Sequence, residues 1–583
     1  MTSPTDPPSF SRALNAQLDI IYPDHDTAEL VKQITQAFWP EGTTRRRRGR
    51  KPGNALWSQR DALVITYGNT LKDGTHKPLD LLNDFLRRYL GGVINGVHIL
   101  PFFPFTSDDG FAVTDFSAVN PQLGDWADIN RIADEFKLMS DLVLNHVSSQ
   151  GAWFNAYRQR QAPYDRFFFE ASPHDDLAMV VRPRTTPLLQ EVETSDGPRH
   201  VWCTFSHDQI DLDFRNPEVL LEFLRIIRLH VDNGVQIIRL DAVAFVWKAI
   251  GSPSVHLPQT HAIVKLIRIL CDYAVEPVIL LTETNVPKAE NLSYFGKRDE
   301  AHVIYNFPLP PLIAHAMMTG TAARLVKWQR AMPPAPLGCA YLNFTASHDG
   351  IGMRPAEGVL SQEDQQAVID TVKRVGGLVS MRALPDGGEA PYELNTTFFD
   401  AMSQTVAGPD AHHIARFICS QTIVMSLEGI PAFYIHALLA TPNDHASVEK
   451  RGMKRAINRH RWDYADLRAR LASPDTPQAQ VMDALRARLT VRQQQAAFHP
   501  NATQFTIHIE DDRIFVLWRQ SLDRHQSIFA LHNVSAQTVE IPALRLNLIG
   551  DEPWVDLLSG EAIEGEVITL EPYQCRWISN TDH

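Results

Sequence analysis

The chain has 583 residues, 44% of them hydrophobic and 21% charged, with a formal net charge of -13. That length and apolar content exclude a disordered chain and predict a large main body with smaller additions. The acidic balance excludes a nucleic-acid partner, because neutralising phosphates takes a net or clustered basic surface.

Taken in order, residues 1–58 read as a helical N-terminal extension, with DTAELVKQITQAFW carrying apolar positions at helical spacing. The basic run Arg45 to Lys51, in TTRRRRGRKPG, is bounded by Gly and Pro and reads as a solvated linker or a homodimer contact, with an anion or nucleic-acid patch as the alternative. The start of the chain has no basic segment followed by an apolar stretch. No uninterrupted apolar span approaches roughly 20 residues, so a soluble, cytoplasmic protein with no membrane partner is expected.

Eight short β-rich runs follow: ALVITY, VHIL, MSDLVLN, QIIRLD, VILLTE, HVIYNF, AYLNFT and AFYI, each closing on a polar residue or turn, with helical patterns between them. They predict an α/β fold, a (β/α)8 TIM barrel over residues 59–147 and 214–499. NPEVLLEFLRIIRLHVDNG fills one helical slot, with Asn233-Gly234 as its stop. Two gaps are too long for simple loops, giving an inserted domain at 148–213 and an extended loop region at 350–428. From residue 500 to 583 short alternating runs predict a small β-sandwich domain. The five cysteines are scattered, without CxxC or a His/Cys cluster, and read as reduced core thiols.

In a barrel of this kind, polar residues at the C-terminal ends of strands converge on one site. Here those positions hold Asn145-His146, Arg239-Asp241, Glu283 and His348-Asp349. Each alone is as consistent with a helix cap or a satisfied core residue as with chemistry; four strand ends together point to a site. Cleaving an acetal needs one ionised carboxylate and one protonated carboxylic acid. Arg239 lies two residues from Asp241 on the same side of its strand, so a fixed cation is expected to keep Asp241 ionised. Glu283 has no adjacent cation and is expected to keep its proton. Asp349 is then free to hold the substrate and the developing oxocarbenium charge. The sequence contains no D-x-D-x-D-G loop or His-rich site and the chemistry moves no electrons, so neither a metal nor an organic cofactor is expected.

DLVLNH, IIRLDAVAF, LLTETN and ASHDGIG, in this order, resemble the four signature regions of the α-amylase superfamily, the retaining glycoside hydrolase family thirteen. The resemblance implies that Asp241 is the nucleophile, Glu283 the acid/base and Asp349 the transition-state stabiliser, with Arg239, His146 and His348 binding a glucosyl unit. PFFPFTSDDGFAVTDF, TFSHDQIDLDF, PYELNTTFFDA and KRAINRH narrow the resemblance to the sucrose phosphorylase branch, which includes glucosylglycerol and glucosylglycerate phosphorylases. By that resemblance Asp108 and Phe111 hold the far side of the sugar, and Phe205 and Gln209 flank it from the inserted domain B.

The branch implies an α-glucoside phosphorylase whose small-molecule partners are an α-glucoside, inorganic phosphate and α-glucose 1-phosphate. Phosphate, rather than water, must reach the glucosyl-enzyme, which takes cations and donors on the acceptor side. Arg184, Tyr392 and Arg455 match the branch's phosphate residues, and surface basic patches are the alternative for the two arginines. The inner stretch LPDGGEAP, with Asp386, Glu389 and no cation, leans toward a neutral acceptor, glycerol, so that 2-O-α-glucosylglycerol is the expected substrate; Arg382 or Arg374 reaching in would favour glycerate, and sucrose is a further alternative. An α-glucosidase or transglucosidase indifferent to phosphate is the competing activity on the same fold. A non-catalytic carbohydrate-binding protein would require the loss of a catalytic carboxylate, and none is lost.

Overall fold

The computed structural model describes residues 10–46, 56–383, 388–546 and 553–581. Eight parallel strands close into a barrel: β1 Leu63–Thr66, β2 Gly96–Ile99, β3 Lys137–Val143, β4 Val235–Asp241, β5 Ile279–Thr282, β6 Val303–Tyr305, β7 Ala340–Asn343 and β8 Ile430–Tyr434. Each strand pairs with its sequence neighbour, and β1 meets β8 through Leu63 opposite Ala432. All eight expected runs are barrel strands. They are apolar almost throughout because both faces are covered, the inner by the barrel core and the outer by helices.

The helix Pro217–Asp232 illustrates how sequence sets an element's ends. The Asn216 side chain accepts the Glu218 amide at its start, and Gly234 takes up φ +84° just past its end, a left-handed position a β-carbon would strain. Its buried face, Val219, Leu220, Phe223, Leu224 and Ile227, packs inward and delivers the chain into β4.

Before the barrel, helices Phe10–Ile21 and Thr27–Phe38 pack on its outer helices Pro258–Tyr273 and Pro217–Asp232. Of the basic run, Arg45 stacks on the Phe10 ring at 4.2 Å and the Arg46 amide bonds the Tyr273 carbonyl at 2.9 Å; Arg47 to Lys51 lie outside the described residues. Between β3 and β4 the chain forms the hairpin Leu189–Thr194/Gly197–Trp202 over a small core of Phe169, Leu188 and Trp202. That insertion is tied to the barrel through Gln209–Asp211, which pairs with His146–Ser148. Between β7 and β8 lies a three-stranded sheet, Ile351–Gly352, Glu389–Asn395 and Leu378–Ala383.

After the barrel comes a five-stranded antiparallel sheet beside the two-stranded pair Val539–Pro542/Val567–Leu570. The period-two pattern of Ile514–Gln520 divides its residues between two cores: Ile514 and Val516 face the domain's own, Phe515 and Leu517 the barrel's. Polar locks hold that second face, with Arg519 and Trp577 bonding the carbonyl and hydroxyl of Ser426, both at 2.9 Å. All five cysteines are buried and unbridged. Among the described residues no helix is long and apolar enough to cross a membrane.

Candidate active site

One pocket at the C-terminal end of the barrel is lined by the residues expected to act on the sugar and on phosphate: Asp108, Phe111, His146, Arg184, Phe205, Gln209, Arg239, Asp241, Glu283, His348, Asp349, Tyr392 and Arg455. β4 ends on Asp241, β5 is followed at once by Glu283, and β7 by the turn carrying His348 and Asp349. The barrel therefore supplies the chemistry, and its insertions supply the walls.

Arg239 donates to Asp241 at 2.6 Å and also to Asp141, which accepts from His98 Nε2 at 2.6 Å; the Tyr305 hydroxyl lies 3.2 Å from Arg239 Nε. Burial pushes the Asp141 carboxyl up, but His98 and Arg239 outweigh it and hold the group down at about 2, a fixed anion behind the site. For Asp241 the balance differs from the expectation that Arg239 alone keeps it ionised. Burial dominates, Arg239 opposes it, Glu283 and Asp141 add repulsion, and the carboxyl is pushed up to about 8. Burial also raises Glu283, against Arg239 and the Ala242 amide, which donates to Glu283 at 3.0 Å. Two such carboxyls in one dry pocket share a proton. Arg239 bonds Asp241 and not Glu283, a setting that favours the charge on Asp241 and the shared proton on Glu283. Ala242 between them holds φ +48°, a left-handed conformation that aims its N–H at Glu283.

Asp349 has a different setting. Although burial pushes its carboxyl up, Arg455, His348 and Arg459 together hold it well below the usual range, so it is permanently ionised. His348 is pushed down to about 3 by burial and stacks on Phe111 at 4.9 Å and 8°, a neutral ring with no partner for Nδ1. Across the pocket His146 bonds the Phe111 carbonyl at 3.0 Å and Gln209 Nε2 at 3.1 Å, and its ring lies 5.2 Å from Phe205. Behind it Lys248 bonds Asn145 at 2.7 Å and Asp211 at 2.9 Å, locking the inserted domain to the strand end. The result is a half-ring of hydrogen-bonding groups around a carboxylate pair, with an aromatic wall, which fits a pyranose ring.

A match to the alpha amylase catalytic domain spans residues 85–349. The chain is 43% identical to a glucosylglycerate phosphorylase of Spirochaeta thermophila over 89% of its own length and 90% of that protein's. The chain belongs to the sucrose phosphorylase branch of the α-amylase superfamily. A glucosylglycerol phosphorylase of Marinobacter adhaerens is 30% identical over 70% of this chain and 82% of that one. Among solved structures, the sucrose 6F-phosphate phosphorylase of Thermoanaerobacter thermosaccharolyticum superposes with a TM-score of 0.71 at 25% identity, covering 84% of this chain and 96% of that one.

The residues expected to hold phosphate line the pocket but are engaged to different degrees. Arg455 is not a free cation: it lies 2.6 Å from Asp349 and holds Glu393 through two bonds of 3.0 and 2.6 Å. Arg184 stands over the Tyr392 ring at 5.6 Å, with no carboxylate partner among the described residues. Arg382 is engaged with Glu357 at 2.8 Å and Arg374 with the Thr405 carbonyl at 3.2 Å. Asp386 lies outside the described residues. Among the pocket residues Arg354 and Asn285 were not anticipated, nor was Glu393, buried outside the pocket lining and held by Arg455. Arg354 lies two residues past SHDGIG and five past Asp349, a nearness that was available as a signal; Asn285 stands two after Glu283.

Proposed function

We propose that this α-glucoside phosphorylase acts on 2-O-α-D-glucosylglycerate, giving α-D-glucose 1-phosphate and glycerate with net retention. Glu283 protonates the glycosidic oxygen while Asp241 attacks the anomeric carbon, forming a glucosyl-enzyme and releasing glycerate. Asp349 and the neutral His348 hold ring hydroxyls as positive charge grows on the sugar. A phosphate oxygen then attacks the same carbon from the vacated side and regenerates Asp241. Phosphate is already nucleophilic, so Glu283 assists this second step weakly.

The observation that carries the reading is a charge imbalance. Arg239 and Arg455 are each paired with carboxylates, whereas Arg184 and Arg354 line the pocket with no carboxylate partner among the described residues. A mouth with two unneutralised guanidinium groups suits anions, and both phosphate and glycerate are anions that occupy it in turn. Similarity to the glucosylglycerate phosphorylase above agrees with this. The neutral-acceptor reading, glucosylglycerol, is the second candidate; its support is the acidic Glu389 and the engagement of Arg382 elsewhere.

Phosphate release from α-glucose 1-phosphate, with D-glycerate, glycerol or fructose offered separately, tests the proposal. Release with glycerate at least roughly tenfold faster than with glycerol is expected. Preference for glycerol overturns the acceptor assignment. Release with none of them, alongside phosphate-indifferent hydrolysis of an α-glucoside, overturns the phosphorylase reading.

A further inference from the structure

Arg354 opens the short helical turn Arg354–Ala356, directly after the strand Ile351–Gly352. That strand pairs with Glu389–Asn395, and the Met353 amide bonds the Tyr392 carbonyl at 3.0 Å, so Arg354 stands one residue beyond a bond to the Tyr392 backbone. Pro355 and Ala356 are buried and pin the turn. The carboxylate nearest in sequence, Glu357, is taken by Arg382. No hydrogen bond or ion pair reaches the Arg354 guanidinium among the described residues, yet it lines the catalytic pocket.

Asn285 faces the same corner. It lines the pocket, its Oδ1 is buried without a partner, and its Nδ2 lies 3.2 Å from where a β-carbon on Gly352 would stand. A buried amide oxygen without a donor is costly unless a ligand supplies one. Asn285 is also two residues past Glu283, the acid that delivers a proton to the leaving oxygen. Groups on this stretch therefore border the departing molecule, not the sugar. In a 2-O-linked glycerate the carboxylate sits on the very carbon that bears the leaving oxygen, and a hydroxyl lies one carbon away.

We propose that Arg354 and Asn285 form the aglycone anchor, Arg354 pairing with the glycerate carboxylate and Asn285 accepting from its free hydroxyl, so that Arg354 is the residue that selects a carboxylate-bearing acceptor over glycerol. This rests on the glucosylglycerate reading. Arg184 and Tyr392, stacked on each other, remain for phosphate. A glycerol molecule would leave Arg354 desolvated and unpaired, which is how the site disfavours it.

The test compares wild type with Arg354→Ala, Arg354→Lys and Asn285→Ala. Three readouts are taken: glycerate-dependent and glycerol-dependent phosphate release, and exchange of labelled phosphate into α-glucose 1-phosphate, which requires no aglycone. Arg354→Ala is expected to lose about 100-fold in kcat/KM for glycerate, at least about 30-fold more than any loss in exchange, with the glycerol-to-glycerate preference shifting toward glycerol. Arg354→Lys should recover part of the loss, and Asn285→Ala should lose on both acceptors, about tenfold. Equal losses in glycerate use and phosphate exchange make Arg354 a phosphate ligand and overturn the proposal, as does an unchanged acceptor preference. If wild type itself ignores glycerate, the substrate reading fails and takes the anchor with it. If wild type uses glycerate and Arg354→Ala does too, the anchor alone fails.

Discussion

Arg455 lies 2.6 Å from Asp349 with one nitrogen and grips Glu393 with two others, so a single guanidinium bridges two carboxylates at the edge of the pocket. Its effect on chemistry runs through Asp349, whose ionised state it secures. Arg455→Ala would leave Glu393, only 5% exposed in its side chain, without a counter-charge, and breaking such a pair from one side costs about 3 kcal/mol. The expected result is a fall in Tm of several degrees and slower turnover with every acceptor, including phosphate exchange, rather than a higher KM for phosphate alone. Thermal melting and steady-state kinetics of Arg455→Ala, Glu393→Gln and the double variant check this. Recovery of Tm in the double variant is expected, and an undisturbed Tm in Arg455→Ala would show the pair to be inert.

Asp241 and Glu283 should separate activity from stability. Arg239 keeps Asp141 as a partner when Asp241 is changed, and both catalytic carboxyls are raised by burial, meaning the fold holds their charge at a cost. Asp241→Asn and Glu283→Gln are each expected to reduce turnover of an α-glucoside by roughly 10⁴-fold or more, with Tm unchanged or slightly higher. A lowered Tm in either variant would mean the pair also braces the barrel mouth.

The eight strands were legible in the sequence because each is apolar on both faces and ends on a residue that breaks the run. For the same reason the three carboxylates that meet in the pocket were legible: Asp241, Glu283 and Asp349 stand at or just after the ends of strands. The acceptor side was not, and the reason is physical. Which arginine is free depends on which carboxylate tertiary packing sets beside it. Arg455 looked available and carries Asp349 and Glu393; Arg382 looked able to reach in and is held by Glu357; Arg354, unremarked in SHDGIGMRP, joins Arg184 in having no carboxylate partner among the described residues. Glu393 was invisible because its role comes from a sheet formed by strands nearly forty residues apart in sequence, Ile351–Gly352 and Glu389–Asn395. Even Arg239 and Asp241, adjacent on one strand, hid a balance that only burial reveals.

That balance predicts the pH profile. The productive state has Asp241 ionised and Glu283 protonated. Because the acid's pKa is raised, its proton is kept to higher pH than an ordinary glutamate's and lost as pH rises through that raised value, giving a falling alkaline limb in kcat/KM for the α-glucoside. On the acid side activity falls as the pair takes up its second proton. Glu283→Gln has no proton to lose, so its residual turnover of an activated donor such as α-glucosyl fluoride, which needs little acid help, should show no alkaline limb. Survival of that limb in Glu283→Gln would move the acid role to another group.

Arg184 and Tyr392 carry the phosphate prediction. Arg184 stacks over the Tyr392 ring at 5.6 Å, an arrangement that fixes the guanidinium plane without consuming its charge. Burial raises the Tyr392 phenol above its ordinary value, with Arg184 opposing, so the hydroxyl stays a proton donor at working pH. A phosphate at this corner would take the charge of one and the hydrogen bond of the other. Arg184→Ala is expected to raise KM for phosphate by about 30-fold and Tyr392→Phe by about tenfold, the charge-assisted contact being the stronger. Formation of the glucosyl-enzyme from α-glucosyl fluoride, an uncharged donor, should slow far less, because neither residue touches the carboxylate pair. Equal damage to both steps would mean that the stacked pair shapes the pocket as a whole rather than holding the attacking anion.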